Sequence, residues 1–217
     1  VPDNFQDLVN VLIDAGIESR TVVDLGCGTG LFLDEIEKFD KVSYKKMLIL
    51  YTGIDISQGM VKQAKRKHMF HGIHHMGASE YLKLVRNHED DGMWETASMV
   101  LSMYGGLSYL DTPEIVALLE GLTDHEFGEF YVMLFGPEYE PSENIVMVED
   151  GTGFRRFEPS IFWRGNGGTG YLEPSFSHIE YKFLHKDGTM SNPIQKQIPD
   201  DKYDGPPREF LIIRGRR

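Results

Sequence analysis

The chain has 217 residues, 41% of them hydrophobic, and a formal net charge of −12. This length and composition predict a single folded domain over 1–217 and argue against wholesale disorder, while the negative charge argues against tight binding to a nucleic acid backbone. The lone cysteine, Cys27, excludes an internal disulfide and favours a cytoplasmic location. No apolar run is long enough to span a membrane, so no membrane partner is predicted.

Strands and helices alternate in the first half of the chain. The helices show apolar residues at helical spacing, and the strands are short runs rich in apolar and β-branched residues. Ser57 is predicted to cap the helix that follows it. The predicted elements are a helix over 4–16, strand over 20–25, helix over 31–39, strand over 46–57, helix over 58–69, strand over 72–78 and helix over 79–88.

The same alternation continues to residue 136. A strand is predicted over 94–104, and a strand over 128–136. Between them, a helix over 112–122 is predicted with Thr112 as its cap and Pro113 at its first position.

The pattern changes after the strand that ends at 136. Residues 136–176 are rich in glycine, proline and aromatic residues and predict a long loop or lid. Strands over 178–188 and 208–215 end the chain, as antiparallel neighbours. The element order predicts an α/β fold with a doubly wound, mostly parallel sheet and an antiparallel C-terminal hairpin strand.

Three glycines follow the first predicted strand, in the stretch "VVDLGCGTG". Such a loop lets the backbone approach a ligand, and nucleotide phosphates, a nicotinamide dinucleotide and S-adenosylmethionine (SAM) are the candidates. A phosphate-binding loop would need a lysine after the glycines, and a dinucleotide loop would need a glycine where Leu31 stands. Asp24 would repel a pyrophosphate, but it suits the cationic amine of SAM.

The stretches "VVDLGCGTG" and "YTGIDISQGMVKQAKRK" resemble the first and second motifs of the class I SAM-dependent methyltransferases, which have a Rossmann-like fold. The resemblance covers about residues 20–136. It implies that Asp55 accepts hydrogen bonds from both ribose hydroxyls of SAM and that Ile56 and Met60 lie against the adenine. The cofactor-binding residues that it implies are Asp24, Gly26, Cys27, Gly28, Gly30, Asp55, Ile56, Met60, Ala78, Ser79 and Ser102.

Methyl transfer needs alignment of donor and acceptor, and a general base only where the acceptor carries a proton. Tyr104, His125 and His178 are candidate bases, and none is favoured. No metal site is predicted, because His71, His74 and His75 do not match common zinc spacings.

The acceptor is predicted to be a small molecule, methylated at oxygen or nitrogen. The sequence after the fourth predicted strand, from Ser102 to Gly105, lacks the prolines typical of enzymes that methylate the amino groups of nucleic acid bases. A protein or peptide acceptor, and a SAM-binding regulatory or degenerate module, stay open as alternatives, and so does the oligomeric state. An NAD-dependent oxidoreductase is disfavoured by the glycine spacing.

Overall fold

The computed structural model describes residues 9–10, 12–13, 16–69, 72–87, 97–123, 128–136, 146–149, 154–157, 175–185, 189–192 and 207–216. Most of the predicted N-terminal helix over 4–16 lies outside these residues. So do His71, His125 and most of the predicted lid. Within the described part of the chain, no helix is long and apolar enough to cross a membrane.

The described residues form helices and strands in the predicted alternation. The helices α1 to α5 span Leu31–Phe39, Lys41–Met47, Gln58–His68, Ala78–Asn87 and Thr112–Leu122. The strands β1 to β9 span Val22–Leu25, Tyr51–Asp55, Ile73–His75, Met99–Ser102, Glu129–Phe135, Val146–Glu149, Phe154–Phe157, His178–His185 and Arg208–Arg216.

Seven of these strands form one sheet with the order β3-β2-β1-β4-β5-β9-β8. The first five strands in this order are parallel, and β9 pairs antiparallel with both β5 and β8. This confirms the predicted doubly wound sheet with antiparallel C-terminal strands. The chain changes direction across the sheet between β1 and β4, and open α/β sheets bind ligands at the carboxyl ends of the strands at such a point.

The sheet carries a hydrophobic core on each face. Val23 and Leu25 of β1 belong to one core cluster, with residues of α4 and α5. Val22 belongs to the other cluster, with residues of α1, α2 and α3. Because successive side chains of a strand point to opposite faces, this short β1 is buried on both sides and fixes the start of the glycine loop.

One strand start and one helix cap were predicted wrongly, each for a local reason. The strand predicted over 46–57 begins at Tyr51, because residues 41–47 form α2. Asp40 caps α2, where its carboxylate accepts hydrogen bonds from the Val42 nitrogen at 2.8 Å and the Ser43 hydroxyl at 2.6 Å.

The cap of α5 is Asp111 and not Thr112. The Asp111 carboxylate accepts from the Glu114 nitrogen, and the Glu114 carboxylate accepts from the Asp111 nitrogen, so the pair forms a capping box. Two strands, β6 and β7, were not predicted from the sequence and pair as an antiparallel hairpin within the predicted loop over 136–176.

Candidate functional site at the carboxyl ends of the parallel strands

The glycine loop joins the end of β1 to the start of α1. Gly26, Gly28 and Gly30 all have left-handed backbone angles, with φ of 73°, 57° and 79°. The nitrogens of Gly26 and Cys27 donate to the Ile54 carbonyl at 2.9 and 3.0 Å, and the Gly30 nitrogen donates to the Cys27 carbonyl at 3.0 Å. These bonds hold the loop against the end of β2, in a conformation that residues with a side chain rarely adopt.

The loop also lies close to the turn that follows β4. A Cβ atom built on Gly26 would lie 3.1 Å from the Gly106 Cα. Ser102, which is fully buried, donates from its hydroxyl to the Leu25 carbonyl at 2.8 Å. Ser102 therefore ties the end of β4 to the end of β1, beneath the loop.

Asp55 ends β2 and faces the glycine loop. One of its carboxylate oxygens accepts from the Gly28 nitrogen at 2.9 Å, and the other accepts from the Ser57 nitrogen at 2.7 Å. Ser57 caps α3 as predicted, because its hydroxyl accepts from the Met60 nitrogen at 3.4 Å. Burial raises the pKa of Asp55, and the two backbone hydrogen bonds oppose that shift. Each oxygen keeps a second lone pair, so Asp55 can accept further hydrogen bonds from a ligand.

Asp24 lies buried in β1 with 1% of its surface exposed. The Tyr51 hydroxyl donates to its Oδ2 at 2.6 Å, while Oδ1 has no hydrogen-bond partner among the described residues. Burial raises the pKa of Asp24 to about 7, and the Tyr51 hydrogen bond opposes the rise. A buried carboxylate oxygen without a partner is costly, and a cationic ligand would offset that cost.

Apolar side chains stand exposed next to Asp55. Ile56 is 43% exposed and Met60 is 39% exposed. Ala78 and Ser79 begin α4, with Ala78 half-buried and Ser79 exposed. A Cβ atom built on the preceding Gly77 would meet nothing within 4 Å, so this edge has open space.

Comparison with known proteins assigns this site to a family. Residues 22–125, which include the glycine loop, Asp55 and α4, match the model of a family described as "Methyltransferase domain". The chain carries a class I SAM-dependent methyltransferase domain. The resemblance found in the sequence motifs is thereby confirmed, and the methyl donor of this class is SAM. In a comparison with curated proteins, no match to the methyltransferase was found.

Solved structures support the same fold for the methyltransferase. An S-adenosylmethionine-dependent methyltransferase from Clostridium acetobutylicum aligns with a TM-score of 0.56 at 12% identity, over 100% of this chain and 92% of that one. An amino pentose methyltransferase from Micromonospora echinaspora, solved with SAM bound, aligns with a TM-score of 0.56 at 14% identity, over 100% and 91% of the two chains. A sugar N-methyltransferase from Streptoalloteichus sp aligns with a TM-score of 0.54 at 16% identity, over 100% and 88%.

The residues present fit SAM as the ligand of the methyltransferase. The Oδ1 of Asp24, which has no partner among the described residues, can accept from an ammonium group. The remaining lone pairs of Asp55 can accept from a vicinal diol. The exposed side chains of Ile56 and Met60 offer an apolar surface to an aromatic base. An anionic phosphate at Asp24 would instead meet a second negative charge.

Cys27 acts as a small buried filler in the methyltransferase. It is 7% exposed, and burial raises the pKa of its thiol, which keeps the thiol protonated and unreactive. A Cβ atom built on Gly53 would lie 3.0 Å from both the Cys27 Sγ and the Tyr51 Cε1. Gly53 therefore leaves the space in which Tyr51 passes beneath the loop toward Asp24.

The three candidate bases differ in position. Tyr104 follows β4 at this edge, but burial raises the pKa of its phenol, so a phenolate is disfavoured at neutral pH. His125 lies outside the described residues.

The interpretation of His178 as a base is corrected by the sheet register. His178 pairs with Arg216, which pairs with Glu129, the first residue of β5. His178 therefore lies at the amino end of the parallel strands, on the edge opposite the glycine loop.

Two polar residues that support the loop of the methyltransferase were not predicted from the sequence. Tyr51 reaches Asp24, and His68 at the end of α3 lies 3.1 Å from the Gly30 carbonyl through its Nε2. The helical spacing of Met60, Ala64 and His68 was a usable signal for His68. Tyr51 and Gly53 lie two residues apart and so share one face of β2. This spacing was a weaker signal for Tyr51.

Proposed function

We propose that this methyltransferase transfers the methyl group of SAM to an oxygen or nitrogen atom of a small-molecule acceptor. The observation that carries the proposal is that one glycine loop lies between two buried carboxylates, Asp24 and Asp55, each able to accept further hydrogen bonds. The lone cysteine is consistent with a reducing compartment, so we propose the cytoplasm as its location.

Different residues of the chain bind different parts of SAM. Asp24 accepts from the ammonium group, Asp55 accepts from the ribose hydroxyls, and Ile56 and Met60 pack on the adenine. The glycine loop allows the backbone of Cys27 and Gly28 to approach the methionine part. Ala78 and Ser79 border the adenine amine, and Ser102 contributes by holding the end of β4 beneath the loop. When bound, SAM supplies an activated methyl group, so the protein has mainly to align donor and acceptor.

An aromatic cluster at the carboxyl end of β5 and the amino end of the antiparallel β9 is our candidate for the acceptor wall. The rings of Tyr109 and Phe135 meet edge to face with centroids 6.0 Å apart, and Phe135 and Phe210 are 5.9 Å apart. The Ser108 hydroxyl accepts from the Phe135 nitrogen at 2.8 Å, which fixes the position of this cluster. Gly105 gives the Phe135 ring room, since any side chain there would collide with it.

Such a surface suits the apolar face of a sugar ring or an organic amine. Two of the structural neighbours are described as a sugar N-methyltransferase and an amino pentose methyltransferase. Amino sugars are therefore the first acceptor class to test.

The experiment is a thermal shift followed by a turnover assay. SAM at about 100 times its Kd stabilises the native state by about 2.7 kcal/mol, and NAD at the same concentration is expected to leave Tm unchanged. Incubation with SAM and a panel of amino sugars, phenols and peptides is then expected to yield S-adenosylhomocysteine with a small molecule. A shift by NAD alone would contradict the donor site. Binding of SAM with turnover only on peptides would contradict the proposed acceptor, and binding without turnover would support the regulatory module.

A further inference from the structure

Helix α3 runs beneath the glycine loop and packs on it through one face. Met60, Ala64 and His68 lie four residues apart, so their side chains share that face. A Cβ atom built on Gly28 would lie 3.8 Å from the Met60 Sδ, and one built on Gly30 would lie 3.6 Å from the Ala64 Cβ. The helix begins beside Asp55 and ends beneath Gly30, so it spans both halves of the donor site.

His68 makes the polar contact at the end of this face. Its side chain is 1% exposed, and its Nε2 lies 3.1 Å from the Gly30 carbonyl oxygen and 3.4 Å from Asp34 Oδ1. Its Nδ1 lies 3.0 Å from the Tyr44 hydroxyl. Since both neighbours of Nε2 are acceptors, Nε2 carries the hydrogen and Nδ1 accepts from Tyr44. The charged groups that act on the imidazole are Asp34, Glu37 and Lys67.

Gly30 is the residue that joins the loop to α1. Its nitrogen donates to the Cys27 carbonyl at 3.0 Å, and its carbonyl accepts from the Asp34 nitrogen at 3.0 Å, which is the first hydrogen bond of α1. A second bond to the same carbonyl, from His68, fixes the orientation of the peptide group between Gly30 and Leu31. The left-handed Gly30 has no side chain to restrain it, and a Cβ atom there would lie 2.6 Å from the His68 Nε2.

We propose that His68 is a positioning residue of the methyltransferase, which holds the Gly30 carbonyl so that the loop keeps the conformation that receives SAM. This role rests on the proposed donor site. It acts through Gly30, and His68 itself does not touch the donor.

A matched pair of amide variants tests the role. The side chain of glutamine is long enough to place its amide NH2 near the position of Nε2, whereas the amide of the shorter asparagine reaches only as far as the position of Nδ1. We expect His68→Gln to bind SAM within about twofold of the wild type, and His68→Asn to bind about fivefold to tenfold more weakly, because only the second variant loses the bond to Gly30. Calorimetric titration with SAM gives both affinities, and Tm gives the stability of each variant.

A purely structural role would lower the Tm of both variants and leave their affinities for SAM equal. Equal affinities would therefore overturn the role of His68. Failure of the wild type to bind SAM would overturn the donor site as well, and that result is separate because it needs no variant. Should either variant fail to fold, the ¹⁵N spectrum of the wild-type imidazole decides the question. A hydrogen on Nε2 supports the role, and a neutral ring with its hydrogen on Nδ1 overturns it.

Discussion

Asp24 shows how one buried carboxylate can serve binding at the expense of stability. It is held by Tyr51 through one oxygen, while the other has no partner among the described residues. Its pKa is raised from 3.8 to about 7 by burial. A group whose pKa is raised on folding stabilises the native state below its unfolded pKa, and this contribution is lost as the pH rises through the folded pKa.

The affinity for SAM is expected to depend on the ionisation of Asp24. Only the ionised carboxylate attracts the ammonium group of SAM, so the Kd should rise as the pH falls below about 7 and level off above it. Calorimetric titrations between about pH 5.5 and 8.5 would measure this profile. Asp24→Asn should bind weakly with little pH dependence in this range. A wild-type profile that matches that of Asp24→Asn would contradict the assignment.

Tyr51→Phe tests the role of the Asp24 carboxylate by removing its hydrogen-bond donor. The Tyr51 hydrogen bond lowers the pKa of Asp24, so removing the hydroxyl should move the inflection of the binding profile to higher pH. At neutral pH the variant should therefore bind SAM more weakly than the wild type, and the two should converge at high pH. Equal weakening at every pH would indicate a packing defect instead.

Asp55→Ala should abolish the stabilisation by SAM. The substitution removes the two carboxylate oxygens assigned to the ribose and also the partner of the Gly28 nitrogen. We expect affinity to fall by a factor of ten or more, since hydrogen bonds to a charged group are each worth about 1.5–3 kcal/mol. Glu180→Gln is the control, because this carboxylate pairs with Lys182 on β8, away from the loop. An unchanged thermal shift in Asp55→Ala would refute the ribose assignment.

Helix caps decide where the elements around the sheet begin. Asp40, Ser57 and Asp111 each accept a backbone hydrogen bond in the first turn of the helix that follows. Ser57 is special among them, because it follows Asp55 closely and donates its own nitrogen to the Asp55 carboxylate. The start of α3 and the ribose side of the donor site are thus fixed by the same turn.

The capping box of α5 should contribute stability without affecting the donor site. Asp111→Ala removes the acceptor for the Glu114 nitrogen and is expected to cost about 1 kcal/mol, while the affinity for SAM stays the same. Asp111→Ser should restore most of the loss, because a serine hydroxyl caps in the same way. Denaturant unfolding of the three proteins would measure this order. Equal stability of the alanine and serine variants would contradict the assigned cap.

Function and stability depend on opposite edges of the sheet. The glycine loop lies at the carboxyl edge of the parallel strands, while Glu129 begins β5 at the amino edge. There its carboxylate accepts from Arg20 Nη1 at 3.0 Å, from Arg214 Nε at 2.8 Å and from the Tyr131 hydroxyl at 3.0 Å. This network joins the segment before β1 to β5 and β9.

Glu129→Gln should therefore destabilise the fold and leave the affinity for SAM unchanged. The two arginines lose their carboxylate, but both are partly exposed, so we expect a loss of about 1–2 kcal/mol and a Tm lower by about 2–8 °C. Glu180→Gln should change Tm much less, because its pair with Lys182 is more exposed. A large change in Kd for SAM in Glu129→Gln would contradict the separation of the two edges.

The sequence by itself determined the sheet, the glycine loop and the positions of Asp24 and Asp55 near the ends of their strands. Apolar runs and helical spacing are local signals that act over a few residues. Three alternating glycines directly after a strand likewise predict a left-handed turn, independently of the rest of the fold. Parallel strands joined by helices then bring the ends of β1 and β2 to one edge, so the two carboxylates could be expected to lie close together.

Only the tertiary structure decided which polar groups support that edge. Tyr51 and Asp24 are 27 residues apart, and His68 and Gly30 are 38 apart. Their contacts depend on the space left by Gly53 and Gly30 and on how α3 packs, and no local pattern encodes such distances. For the same reason the sequence could not assign His178 to an edge, because the antiparallel register of β8 and β9 fixes that position. Short-range backbone preferences thus specify the elements and the loop, whereas side-chain packing between distant segments specifies what holds the loop in place.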